Sequence, residues 1–367
     1  MAIRPSGYMP QLDSLRTFAV MLVIIYHWFP TGEGINRLPN GSIGVVIFFV
    51  LSGFLITRIL LQSRDLIQLG EYSFKNTYRN FFIRRILRLL PLYYLAITFV
   101  WLVLPDASDI DEHPLVYYLY GYNFLLNKTG NWADILSPFW TLAVEEQLYL
   151  IWPCIVLLVP KNYFRWAILA MIVLGIASRA YGYTQGSLDG VLTPACLDTF
   201  GIGALWAYVV VDHPNSIDSF LKKLTIAAGL ALLGFVGLLF LPNDHLLAVL
   251  FQRTLISILA LFIIARASLG FKGLVGQVLN SSVLQYFGRI SYGLYVFHML
   301  VPSYGMKILF AISNRIHLSL TLGYWSHRFV SLLLLLVVAS LSWYLFEKPL
   351  QNLKRHFIQK RTSELVS

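Results

Sequence analysis

The sequence predicts an all-α integral membrane protein with about ten transmembrane helices, both termini cytoplasmic and an amphipathic basic helix at the inner surface. Three observations predict it. Apolar residues make up 57% of the 367-residue chain and charged residues 13%, against about 25% charged in a soluble domain. Apolar runs long enough to span recur along the whole length, at 15–30, 43–62, 91–105, 138–159, 164–181, 195–211, 223–241, 247–267, 286–309 and 327–346. Most of the 28 Lys and Arg fall in alternate connecting segments, which puts both termini inside. The net charge of +10 is then mainly a topology signal and not a surface for nucleic acid. No soluble stretch is long enough for a second domain. Residues 1–350 read as one transmembrane domain and 351–367 as a basic cytoplasmic tail.

The first helix follows a mostly polar start and has no small-residue cleavage site, so it is expected to stay uncleaved. It carries Arg16 near one end and His27 near the other. At ~1.5 Å rise per residue the two are roughly 16 Å apart. Ionisable groups inside a bilayer are costly and are functional candidates by default. Small Ser52 and Gly53 in the second helix allow close approach of a neighbouring helix. Residues 63–90 are inner and basic, with aromatics interleaved among Lys75, Arg79, Arg84, Arg85 and Arg88. They read as a helix lying at the interface, attracted to anionic membrane lipid. Arg85 and Arg88, three apart, share one helix face. Arginine recognises phosphate through paired hydrogen bonds, so a polyphosphate ligand is the sharper expectation.

Residues 106–137 are outer and comparatively acidic. The aromatic stretch YYLYGYNFLLN within them is too short to span. In the fourth helix Glu145 and Glu146 stand among apolar residues, which packing does not explain. Adjacent helical residues diverge by ~100°, so one of them faces a polar cavity, with Tyr149 on a related face. Asp198 begins the sixth helix and Arg179 ends the fifth. His298 lies about nine residues into the ninth, roughly mid-membrane. Glu347 and Lys348 read as interfacial anchors.

The polar groups therefore fall in two places. Arg16, Arg84, Arg85 and Arg88 form an inner basic cluster. His27, Glu145, Glu146, Asp198, Arg179 and His298 form a deeper or outer one, with Tyr149 beside it. A histidine with an ordinary pKa near 6.5 can take a proton from a hydroxyl, and a carboxylate can orient it. The chain has no GxSxG elbow, HExxH, P-loop or dinucleotide fingerprint. Its two cysteines form no disulfide framework or metal-site pattern, and no metal is expected. The layout suits an anionic donor held inside and an acceptor hydroxyl activated deeper or outside. No internal repeat or inverted symmetry of interrupted helices is detectable, which counts against a secondary transporter.

QLDSLRTFAVMLVIIYHW, GVVIFFVLSGFLITRIL, RNFFIRRILRLLPLYYL, FWTLAVEEQLYLIWP, GRISYGLYVFHMLVP and FEKPL occur in that order over nearly the whole chain. Together they resemble the acyltransferase-3 family of integral membrane acyltransferases. Members O-acylate sugars of bacterial surface polysaccharides and some other acceptors. Arg16 and His27 match the family's Arg-X10-His motif. Arg84, Arg85 and Arg88 fall where it has a basic inner motif before a proline, here Pro91. Glu145 and Glu146 match its acidic motif.

The resemblance implies acyl-CoA, most often acetyl-CoA, as co-substrate, bound by Arg16, Arg84, Arg85 and Arg88. It implies a sugar hydroxyl of a polysaccharide, lipopolysaccharide or lipid-linked glycan as acceptor, and the bacterial inner membrane as location. His27, oriented by Glu145 or Glu146, would deprotonate that hydroxyl, with an acyl-histidine intermediate as the rival mechanism. Asp198, Arg179, His298 and Tyr149 are candidates for acceptor contact. Fused members carry a periplasmic SGNH-type domain. This chain stops soon after its last helix, so the stand-alone form is expected. A transporter or flippase of acyl groups or lipid-linked sugars is the alternative, as is a non-sugar acceptor such as a macrolide. Nothing in the pattern decides the oligomeric state.

Overall fold

The computed structural model describes residues 7–187, 190–315, 317 and 322–354. These form sixteen α-helices joined by short turns, with no strand among the described residues. The long ones are α1 (Pro10–Trp28), α2 (Asn40–Gln68) and α3 (Phe74–Val103). Short α4 (Pro114–Tyr118) and α5 (Tyr122–Thr129) follow, then α6 (Trp140–Leu158), α7 (Lys161–Thr184), α8 (Leu197–Asp212), α9 (Ile217–Leu238) and α10 (Leu246–Leu269). The chain ends in α11 (Gly273–Leu279), α12 (Ser282–Arg289), α13 (Ser291–Phe297), α14 (Met306–Arg315), α15 (Tyr324–Ser342) and α16 (Lys348–Asn352). Eight described helices are long and apolar enough to cross a membrane, or nine if one bent pair is a single span. The protein is thus a multi-pass membrane protein built from helices, which bond most of their own backbone groups, as hydrocarbon requires.

Local sequence sets the helix ends. Pro10 occupies the first turn of α1, where its missing N–H is no loss. After α2 the chain turns at Gly70, at φ +74°, a left-handed conformation that favours glycine. Gly130 closes α5 in the same way, at φ +63°.

Two boundaries differ from the sequence reading. Residues 74–90 do not form a separate interfacial helix. They continue through Pro91 into the next span as the single 30-residue α3. Pro91 has no N–H for the Leu87 carbonyl one turn earlier, yet the helix runs on through it; close by, Tyr292 donates to the Leu89 carbonyl at 2.6 Å. The span expected at 286–309 is broken instead. α13 and the stretch from Val301 to Arg315 meet at 58°, with a π turn over Val301–Gly305 that contains Pro302. The basic tail expected over 351–367 lies, from residue 355 on, outside the described residues.

The core centres on α1, α2 and α8. α2 and α8 touch backbone to backbone. A Cβ on Gly53 would collide with the Phe200 carbonyl oxygen, and one on Gly203 with that of Val50. The close approach expected at Gly53 is therefore met by a second glycine across the interface. The start of α1 is polar yet buried, and it is bonded to α11, α12 and the turn before them. Gln11 bridges the Phe271 carbonyl at 3.1 Å and its N–H at 2.8 Å. Ser14 donates to Leu279 at 2.7 Å and Thr17 to Leu284 at 2.5 Å. These bonds fix the rotation of α1, and so the directions of Arg16 and His27.

Candidate active site

One cavity of about 200 Å³ lies among α1, α2, α3, α6 and α13. Its polar lining comprises Arg16, Ser52, Arg85, Arg88, Glu145 and Tyr149, with Thr141, Ser291, Tyr292 and Tyr295; the rest is apolar. Five residues singled out from the sequence thus meet in one place. Arg16, Arg85, Arg88, Glu145 and Tyr149 come from three separate helices, α1, α3 and α6, and Ser52 from α2 joins them.

Arg16 pairs with Asp13 one turn earlier on α1, and Tyr8 donates to the same carboxylate. Arg85 lies over the Tyr149 ring, 5.1 Å from its centroid, and over Phe81 at 5.5 Å. Cation–π contacts of this kind hold a guanidinium without using its N–H groups. No carboxylate lies within ion-pair distance of Arg85 or Arg88 among the described residues. Two cations with no carboxylate at ion-pair distance among the described residues favour an anion on this wall. Arg84, on the same helix, does not line the cavity.

Of the two glutamates, Glu145 faces the cavity. One of its oxygens accepts from Ser52 at 2.7 Å and the other from Tyr149, one turn on, at 3.0 Å. Glu146 is rotated away and does not line the cavity; its Oε1 is buried without a hydrogen-bond partner. The expected pairing of either glutamate with His27 does not form. No hydrogen bond joins them among the described residues; the two Glu145 oxygens accept instead from Ser52 of α2 and Tyr149 of α6.

His27 meets another histidine. Its ring centroid is 5.0 Å from that of His298, with the planes at 53°. His298 is fully buried at the break after α13. Trp28, the neighbour of His27, donates to the His298 carbonyl at 2.8 Å, which ties the end of α1 to that break. Neither histidine lines the cavity, but Tyr295 belongs to both places. Its ring lies 5.4 Å from that of His298, while its hydroxyl contacts Thr141 at 2.7 Å on the cavity wall.

Asp198 and Arg179, candidates for acceptor contact, face each other instead. Two parallel bonds of 2.8 Å join them. Arg179 also donates to the Ala195 and Leu250 carbonyls and to Thr254. Their hydrogen-bonding capacity is used within the α7–α8–α10 contact, and both are buried. Glu347, expected at the interface, is also buried and accepts from Ser342 at 3.1 Å.

Sequence reasoning missed Thr141, Tyr292 and Tyr295 as wall residues and Asp13 as the partner of Arg16. The signal for Asp13 was its i, i+3 spacing from Arg16. Tyr292 and Tyr295 share a helix face by the same spacing, but only contact with α3 and α6 marks that face as the one turned to the cavity.

Comparison with known proteins bears on this site. Residues 9–347 match the sequence model of the acyltransferase domain family, acyltransferase-3. A Bacillus subtilis protein provisionally named a peptidoglycan O-acetyltransferase, YrhL, is 30% identical over 94% of this chain and 55% of its own length. A Staphylococcus aureus protein provisionally named an O-acetyltransferase, SAS0844, is 30% identical over 81% of this chain and 51% of its own. The peptidoglycan O-acetyltransferase OatA of Listeria monocytogenes is 33% identical over 46% of this chain and 27% of its own. The chain spans about half the length of the first two relatives. No solved structure matches it.

Proposed function

The chain belongs to the acyltransferase-3 family, and from that premise we propose that it transfers an acetyl group from cytoplasmic acetyl-CoA to a sugar hydroxyl of a cell-envelope polysaccharide. The observation that carries this reading is the cavity wall formed by Arg85 and Arg88, two cations with no carboxylate at ion-pair distance among the described residues. Phosphate is the anion that arginine recognises best through paired hydrogen bonds. The cavity, at about 200 Å³, is smaller than the ~300–1,000 Å³ that encloses a whole drug-sized ligand. It suits the narrow acyl-bearing arm of the donor, with the nucleotide phosphates at the arginine end. That end is the cytoplasmic one in this reading, which keeps both termini on the cytoplasmic side of the bacterial inner membrane.

His27 then takes the proton of the acceptor hydroxyl. The hydroxyl oxygen bonds to the thioester carbonyl carbon, the carbon–sulfur bond breaks, and the proton passes from His27 to the sulfur. The oxygen–acyl bond forms directly, without an acyl-histidine. Glu145, held by Ser52 and Tyr149 on the donor cavity, acts on the donor side. The names of the Bacillus subtilis and Listeria monocytogenes relatives favour a peptidoglycan sugar over lipopolysaccharide as acceptor.

The test is transfer of label from radioactive acetyl-CoA by protein purified in detergent, with peptidoglycan fragments and lipopolysaccharide as competing acceptors. Labelled ester on either glycan supports the reading and names the acceptor class. Acetyl-CoA that neither binds nor transfers, beside lipid-linked sugars that cross reconstituted vesicles, replaces it with a flippase.

A further inference from the structure

His298 has a feature that an acceptor contact does not explain. It is 0% exposed and does not line the donor cavity. Its Nδ1 lies 2.5 Å from the Tyr295 carbonyl oxygen. A carbonyl can only accept, so the ring proton sits on Nδ1 and Nε2 keeps a free lone pair. That Nε2 is buried with no hydrogen-bond partner. Buried polar atoms are nearly always bonded, and an exception calls for an explanation.

The ring across from it is His27, at 5.0 Å between centroids. Two imidazoles joined by one N–H···N bond of ordinary length stand about 5 Å apart by this measure. His27 lies one turn or less from the pinned end of α1, and the Trp28 bond holds that end against the His298 backbone.

We propose that His298 is a positioning residue for His27. Its Nε2 accepts the ring N–H of His27, and this fixes the tautomer of His27 with the other nitrogen unprotonated and open to the acceptor hydroxyl. The inference rests on the acyl-transfer reading in which His27 is the base. In the step, His27 receives the hydroxyl proton on its open nitrogen, keeps its donated N–H on His298 throughout, and returns the received proton to the leaving sulfur. His298 neither gains nor loses a proton. A neutral acceptor bound to one side of an imidazole raises the basicity of the other side, the role that a carboxylate or carbonyl plays elsewhere. The Tyr295 carbonyl orients His298, and so the relay runs from the broken span to α1.

Two substitutions separate the nitrogens of His298. His298→Gln keeps an acceptor near the Nε2 position. His298→Asn keeps a donor to the Tyr295 carbonyl but places no acceptor toward His27. Thermal melts of the full chain in detergent check that both fold. Histidine ring spectra of protein labelled with ¹⁵N-histidine, with the His27 signals assigned by their loss in His27→Ala, read the tautomer directly. The expected result is one neutral His27 tautomer in wild type and His298→Gln, and a mixture in His298→Asn. In parallel, kcat for acetyl transfer falls about tenfold to a hundredfold in His298→Asn at unchanged donor KM, and His298→Gln stays within about threefold of wild type. Unchanged His27 ring signals in folded His298→Asn overturn the inference, whether or not transfer is seen. A raised acceptor KM with unchanged kcat also overturns it, since that marks a substrate contact. Absence of transfer by wild type counts against the acyl-transfer reading alone, so the two failures are distinguishable.

Discussion

Glu145 on α6 accepts a hydrogen bond of 2.7 Å from Ser52 on α2, and this contact sets the glutamate on the wall of the arginine cavity and not beside His27. The family pattern invites a His27–carboxylate pair. The packing of α6 against α2 directs the carboxylate elsewhere, so its contribution falls on the donor. Glu145→Ala is expected to raise the donor KM about tenfold, the loss of a hydrogen-bonded charged group on a binding wall, with kcat nearly unchanged. Steady-state kinetics at saturating acceptor check it. A fall in kcat at constant KM would instead restore Glu145 as the partner of His27.

Arg85 and Arg88 have no carboxylate partner among the described residues. Replacing either by Ala removes a charge-assisted contact worth about 1.5–3 kcal/mol, or roughly tenfold to a hundredfold in donor affinity. The loss should be smaller for dephospho-CoA than for CoA and should shrink as salt rises. Equilibrium binding of CoA and dephospho-CoA to both variants measures this. Because Arg85 is also seated on the Tyr149 and Phe81 rings, Arg85→Lys should not restore binding fully.

Arg179 and Asp198 form a buried, doubly bonded pair at 2.8 Å. Removing one partner strands the other, at a cost of about 3–5 kcal/mol. Arg179→Ala should lower the melting temperature sharply while the protein that remains folded keeps the wild-type acceptor KM. A stable Arg179→Ala variant with a raised acceptor KM would return this pair to the acceptor site.

Asp134, in the connection between α5 and α6, is buried and accepts from Tyr117, Ser108 and the Leu136 and Asp109 N–H groups. Burial pushes its carboxyl above the ordinary range, although these donors oppose the shift. A carboxyl raised on folding favours the protonated form. Its stabilising effect is thus complete below its unfolded value of about 3.9 and is lost as pH rises through the folded value. Asp134→Asn removes this slope. Melting temperatures across the acidic range should decline more steeply with rising pH in wild type than in the variant.

Much of the helix plan was legible because a membrane demands long apolar runs, and those runs stand out from composition alone. The break inside the 286–309 run was not, since it lies where Trp28 of α1 donates to the His298 carbonyl, ahead of the π turn that contains Pro302. Pro91 misled in the opposite direction, because α3 runs on through it although the Leu87 carbonyl loses its N–H partner. Within the site, helical spacing turns one of Glu145 and Glu146 to a polar cavity with Tyr149 near it; that it is Glu145 depends on Ser52 of α2. The meeting of His27 with His298 does not follow from helical spacing. They lie far apart in sequence, and only the polar contacts that fix the rotation of α1 determine which residue faces His27.

The most direct test of the account is the rate of acetyl transfer by purified protein with His27→Ala against wild type, compared at equal melting temperature and equal acetyl-CoA binding. The account predicts labelled glycan from wild type and a loss of at least about a hundredfold in the variant, the scale of a removed general base. Equal transfer by both proteins would contradict it and move the chemistry away from His27.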